Sequence, residues 1–119
     1  AVWKKNELAD FYFKRSATAR NGGATLMSEK TNIQDLNLKV TVECVDIADV
    51  IGNLDATANI ILKLDVEGAE YEILERLYES GAYIFAEDHS RKMPTAQWHS
   101  LKSEVLEKYK QAGMPLYWW

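Results

Sequence analysis

The sequence predicts an α/β fold, a parallel sheet with crossover helices, and three observations predict it. Two short runs, Ile60–Leu64 and Ala82–Ala86, are almost continuously apolar, the pattern of strands buried on both faces. Segments of helical period follow each of them, at Gly68–Glu79 and at about Thr95–Ala112. The order after residue 58 is therefore strand, helix, strand, helix, strand, the last strand being Leu116–Trp119.

From the N-terminus, Ala1-Val2-Trp3 and Ala9-Asp10-Phe11-Tyr12-Phe13 read as two short strands, because aromatic residues favour the pleated surface. Lys4-Lys5-Asn6-Glu7 between them is a turn. Residues 15–37 are rich in Ser, Thr, Asn and Gly and form a long loop, of the kind that is usually functional or disordered. Leu38–Val45 alternates strictly and is a strand with one polar face. Asp46 opens a short helix, Ile47–Ile51, which stops at Gly52-Asn53. In the helix Gly68–Glu79, Ile73, Leu74, Leu77 and Tyr78 share one face, opposite Glu72, Glu75, Arg76 and Glu79. Ser80-Gly81 ends it. Trp98, Leu101, Val105 and Tyr109 form the apolar stripe of the last helix, closed by Gly113 and Pro115.

Composition excludes several function classes. The chain has 119 residues, enough for one domain, and 47% of them are hydrophobic. Its net charge of −4 argues against a nucleic-acid surface, which needs a basic patch. No apolar run reaches the ~20 residues of a membrane span, and no signal peptide is visible. A lone cysteine, Cys44, sits mid-strand as core packing; it rules out an internal disulfide framework and makes the cytoplasm the default compartment.

The chemistry concentrates where the strand Ile60–Leu64 meets the next helix. Ligands of open α/β sheets bind beyond the carboxyl ends of strands, and Asp65 sits there. Gly68 lets the chain turn tightly, and Glu67 falls at or before the first helical turn, whose N–H groups favour an anion. An acid at that place is most often only a cap. Glu87-Asp88-His89 follows the next strand and belongs on the same edge as Asp65. Such carboxylates suit a hard divalent ion such as Mg²⁺ or Mn²⁺, but a solvated acidic turn is the commoner outcome and no metal is assigned. His89 as general base is the stronger reading, since imidazole titrates near neutrality. Arg15, Ser16, Thr18, Arg20 and Thr25 lie in the long loop, where they are either loop residues or contacts to a polar acceptor. Arg91, Lys92 and His99 read as solvated surface.

Leu62-Lys63-Leu64-Asp65-Val66-Glu67-Gly68-Ala69-Glu70 resembles the signature of the FkbM methyltransferase family, approximately L-K-I-D-V-E-G-x-E. The flanks are similar too: Val42–Ile51, Ala1-Val2-Trp3 with Phe11-Tyr12-Phe13, Gly23-Ala24-Thr25-Leu26, and Ile84-Phe85-Ala86-Glu87, over residues 1 to about 90. The resemblance implies a Rossmann-like class I methyltransferase sheet. It implies methyl transfer from S-adenosylmethionine, usually to a hydroxyl oxygen of a small molecule or sugar. It places Asp65 beside the transferring methyl group, as catalytic and cofactor-binding residue. Glu67 and His89 join it as catalytic candidates, and Glu70, Glu87, Asp88 and Thr25 as substrate-binding ones; Glu70 alternatively reads as solvated.

The chain departs from that pattern in one respect. The family binds its cofactor with a Gly-rich turn after the first strand, and no such turn precedes residue 61. The chain begins Ala1-Val2-Trp3 and reads as the C-terminal portion of the domain. Two expectations follow: no measurable cofactor affinity in this stretch alone, and an open strand edge at Ile60–Leu64 that gives either a homodimer, by pairing with a second copy, or a rearranged sheet. A non-catalytic binding or assembly module and a carbohydrate-associated enzyme using Asp65, Glu87 and His89 are the alternative functions.

Overall fold

The computed structural model describes residues 1–13 and 23–119; Arg15, Ser16, Thr18 and Arg20 lie outside them. The elements are β1 (Val2–Trp3), β2 (Glu7–Tyr12), β3 (Lys39–Asp46), α1 (Ile47–Gly52), β4 (Ile61–Leu64), α2 (Glu70–Leu77), β5 (Tyr83–Ala86), a 3₁₀ turn (Ser90–Lys92), α3 (Ala96–Ala112) and β6 (Leu116–Trp118). They form two three-stranded sheets, ordered β1-β3-β2 and β4-β5-β6. The first is mixed, with β1 parallel and β2 antiparallel to β3. The second is entirely parallel, with Ile61 opposite Tyr83 and Ile84 opposite Leu116. The α/β class and the parallel sheet with crossover helices are as the sequence predicts, and the architecture is compatible with part of a Rossmann-like sheet.

Helix α2 forms because its apolar residues recur at helical spacing and have a surface to cover. Tyr71, Ile73, Leu74 and Leu77 are fully buried, and each aliphatic side chain so removed from water contributes about 1.5–3 kcal/mol. Trp98, Val105 and Tyr109 of α3 join the same core. The Tyr109 hydroxyl donates to the Leu74 carbonyl at 3.0 Å, tying α3 to α2. Gly113 ends α3 in the left-handed conformation, φ +63°, which a glycine adopts without a Cβ penalty.

Two expectations need correction. The strands β4 and β5 are buried on one face only. Leu64, Ile84 and Ala86 face the helices, whereas Ile61 is 72% exposed and Tyr83 and Phe85 are also exposed. Both crossovers of β4-α2-β5-α3-β6 run in the same direction, so both helices cover one side. Helix α2 also starts at Glu70 rather than Gly68, because Glu67 (φ +54°) and Gly68 (φ +107°) have left-handed backbones that no helix accepts. No described helix is long and apolar enough to cross a membrane.

Asp46 joins the two halves. It caps α1 by accepting from the Ala48 N–H at 2.8 Å, and it pairs with Arg76 of α2 at 2.8 Å. Burial works against its charge, but the Arg76 guanidinium and the Ala48 N–H together hold its carboxyl below the usual range. A depressed carboxyl stabilises the fold above the unfolded-state pKa, and that contribution is lost as pH falls through the folded-state value. Asp46→Ala is therefore expected to cost about 1–2 kcal/mol at neutral pH. In urea denaturation, its deficit against the parent should shrink as the buffer is made strongly acidic; a deficit that does not vary with pH would contradict this assignment.

Candidate functional site

The site is built on the turn that carries the chain from β4 into α2, together with the segment that leaves β5. Because β4 and β5 are adjacent and parallel, their carboxyl ends bring Asp65 and residues 87–89 to one edge. The Glu87 N–H donates to the Leu64 carbonyl at 2.9 Å and extends that pairing by one residue.

Glu70 is the anchor. It is fully buried, and its two carboxylate oxygens accept from the Gly68 N–H at 3.0 and 3.1 Å. Its Oε1 also lies 2.7 Å from Nδ1 of His89. A carboxylate only accepts, so Nδ1 carries a proton in this pair, and in the neutral ring Nε2 presents its lone pair. Nε2 points at carboxylates, 3.4 Å from Glu67 Oε2 and 3.4 Å from Glu87 Oε1. Asp65 completes the cluster. One carboxylate oxygen each from Asp65 and Glu67 and one ring nitrogen of His89 lie within 4.8 Å of one another. Two groups at that separation can share one atom, each about 2.8 Å from it. Of the cluster, Asp65 is exposed, Glu67 and Glu87 are half-buried, and His89 is 5% exposed.

The turn is held from behind. A Cβ on Gly68 would stand 2.8 Å from Met93 Sδ, and the Trp98 indole N–H donates to the Gly68 carbonyl at 3.0 Å. Glu67 adopts φ +54°, a left-handed conformation costly for a residue with a Cβ. The compensation is ionic. The Lys30 ammonium is buried, hydrogen-bonds Glu67, and also reaches the Gly23 carbonyl at 3.3 Å. Lys92 approaches Glu67 at 3.5 Å. Burial alone would raise the Glu67 carboxyl, but the Lys30 ammonium, with Lys92 behind it, holds it below the ordinary glutamate range. Burial pulls the Lys30 ammonium below the usual lysine value, and Glu67 only partly offsets it.

The sequence-derived candidates thus divide. Asp65, Glu67, Glu87 and His89 come together. Glu70 is neither solvated nor open to a substrate; it acts through His89. Asp88 turns away, accepting from Ser90 and from Lys102 at 2.9 Å. Thr25 is buried in a bridge to Tyr12, and its Oγ1 accepts the Met27 N–H. Trp98 read only as part of an apolar stripe, and Lys30 and Met93 carried no sequence signal, save that an acid-rich turn needs a counter-ion. His99 is exposed, Cys44 buried. Two open clefts elsewhere, one at Ala48–Ala58 and Tyr83, the other between Glu72 and α3, include none of the clustered acids and no His.

The model of the methyltransferase FkbM domain matches residues 1–112. The chain belongs to the FkbM methyltransferase family. No curated protein and no solved structure matches it significantly. An FkbM methyltransferase implies a cofactor of the S-adenosylmethionine type, and the described residues do not cradle one. Sheets of this class hold such a cofactor against a Gly-rich turn that follows a strand. Gly68, the glycine beside Asp65, is closed off by Met93 and by Lys30 Cδ at 3.8 Å.

Gly68→Ala is expected to destabilise the fold by about 1–3 kcal/mol through its φ alone, with the Met93 contact adding to that. Gly52→Ala, with nothing within 4 Å of the new Cβ, should be neutral or mildly stabilising. Paired denaturant titrations check this; equal effects would contradict the close packing at Gly68.

Proposed function

We propose that this chain supplies the acceptor side of an S-adenosylmethionine-dependent O-methyltransferase site, within a longer enzyme, and that its acceptor is a hydroxyl of a small molecule or sugar. The observation that carries this reading is the Glu70–His89 pair beside exposed Asp65. S-adenosylmethionine would supply the methyl group; the residues of this chain handle the acceptor. Asp65 is the member a substrate reaches, and it orients the hydroxyl by accepting its hydrogen bond. His89 Nε2 takes the proton, since Glu70 holds its Nδ1 and leaves that lone pair free. Glu67 and Glu87 flank Nε2 and stabilise the imidazolium that forms. Fixing acceptor and base in one geometry supplies much of the rate in an in-line displacement.

The lack of a cofactor cradle among the described residues favours one second reading, a binding or assembly module that holds an acceptor without turnover. One experiment separates the two. The protein carrying this chain is incubated with S-adenosylmethionine labelled in its methyl group and a panel of sugars and small alcohols. Methyl ether products are expected, with Asp65→Asn and His89→Gln, each verified as folded by circular dichroism, lowering kcat/KM by about 10²–10⁴. Methylation at nitrogen or carboxylate, or unchanged rates in both variants, would overturn the proposal. Acceptor binding without any product would establish the second reading.

A further inference from the structure

We infer that Asp65, Glu67, Glu87 and His89 form a binding site for one divalent first-row transition cation, of the Mn²⁺ or Zn²⁺ kind, with Glu70 as the positioning residue behind the histidine.

Spacing is the first argument. His89 Nε2 stands 3.4 Å from an oxygen of Glu67 and 3.4 Å from an oxygen of Glu87. That is long for an N–H···O hydrogen bond. It matches the edge of a coordination polyhedron, because two ligands bound at about 2.1 Å to one ion lie about 3.0–3.4 Å apart. Asp65 joins Glu67 and His89 within 4.8 Å. It is exposed, and its carboxylate makes no hydrogen bond to another described residue.

Orientation of the imidazole is the second. His89 is 5% exposed, yet its Nε2 makes no hydrogen bond among the described residues. A ring nitrogen aimed at two carboxylates from 3.4 Å, beyond good hydrogen-bond distance, is placed as one donor of a mixed imidazole–carboxylate set. Its other nitrogen meets the buried Glu70 carboxylate at 2.7 Å. A carboxylate behind a histidine whose far nitrogen faces a ligand set is the usual support of a metal-bound imidazole, fixing tautomer and ring plane.

Charge is the third. Among the described residues, the four carboxylates Asp65, Glu67, Glu70 and Glu87 are met by two ammonium groups, Lys30 and Lys92, both at Glu67. With a neutral imidazole this leaves a negative excess that one divalent cation balances. The mixed oxygen and imidazole donors favour a transition ion over Mg²⁺ or Ca²⁺, which take oxygen ligands. The ion and the proton transfer proposed above use the same Nε2 lone pair and exclude one another, so an ion-bound chain acts on an acceptor only by acidifying its hydroxyl, a use that rests on the proposed function.

The test reads binding, not turnover, so it fails separately from the methyl-transfer proposal. The chain is stripped with chelator and titrated near neutral pH with Mn²⁺, followed by electron paramagnetic resonance, and with Zn²⁺ by calorimetry. One ion per chain is expected, with saturation and a raised melting temperature. Asp65→Asn, at an exposed position that leaves the fold intact, should weaken binding by about tenfold or more, and Glu70→Gln by about 10–100-fold. Asp88→Asn, whose carboxylate is committed to Ser90 and Lys102, should bind as the parent does. If Glu70→Gln fails to fold by circular dichroism, Asp65→Asn decides. No saturable binding to the folded parent, or undiminished binding by Asp65→Asn, overturns the proposal.

Discussion

A carboxylate taken fully out of water needs a partner for each oxygen, and Glu70 meets that demand with a backbone N–H on one side and an imidazole on the other. Much of the local structure follows from this arrangement. To offer its N–H back to Glu70, Gly68 adopts φ +107°. That conformation sets the start of α2 at Glu70 and turns the Gly68 carbonyl toward Trp98 of α3. To reach Nδ1 of His89, Glu70 requires the segment after β5 to double back over the end of β4, which the parallel register of the two strands permits. The polar anchor and the apolar packing of α2 and α3 are therefore parts of one arrangement.

The second consequence is electrostatic. With Glu70 fixing one face of the ring, the other face looks onto Glu67 and Glu87, and acids crowd into a small volume. Lys30 answers this from the loop before β3. Its burial carries a desolvation cost that is tolerable only because Glu67 meets its ammonium directly. Lys30 also reaches back to the Gly23 carbonyl, so the same ion pair that neutralises the turn fastens the loop over it. The left-handed backbone of Glu67 is part of this design, since it directs that side chain to Lys30 rather than to the N-terminus of α2. Strain beside a buried ion pair is the kind of local cost that functional sites retain.

How much of this was legible in the sequence differs by feature, for physical reasons. Alternating and helical periodicities located β3, α3 and the strand–helix–strand order, because burial on one face imposes a period. Asp46, Thr95 and Gly113 marked helix ends through chemistry that acts within a few residues. The carboxyl-end rule brought Asp65 and His89 to one edge correctly. It did not reveal that Glu70 belongs there, because a glutamate in a helical pattern reads as solvated until its partner, nineteen positions away at His89, is known. Nor did it reveal the bare face of the parallel sheet. Runs such as Ile60–Leu64 look alike whether or not a second layer covers them, and Ile61, Tyr83 and Phe85 are exposed. Lys30 lay in a polar loop with no period at all, and only the need to balance Glu67 could have pointed to it.

The central claim is that Glu70 holds His89 as the tautomer with its proton on Nδ1 and a free lone pair on Nε2. Nitrogen-15 chemical shifts of the imidazole, recorded on the ion-free chain near neutral pH, measure this directly. The account predicts a pyrrole-like shift for Nδ1 of His89 and a pyridine-like shift for Nε2, with the pattern disturbed in Glu70→Gln. A pyridine-like Nδ1, or two pyrrole-like nitrogens showing an imidazolium held among the carboxylates, would contradict it.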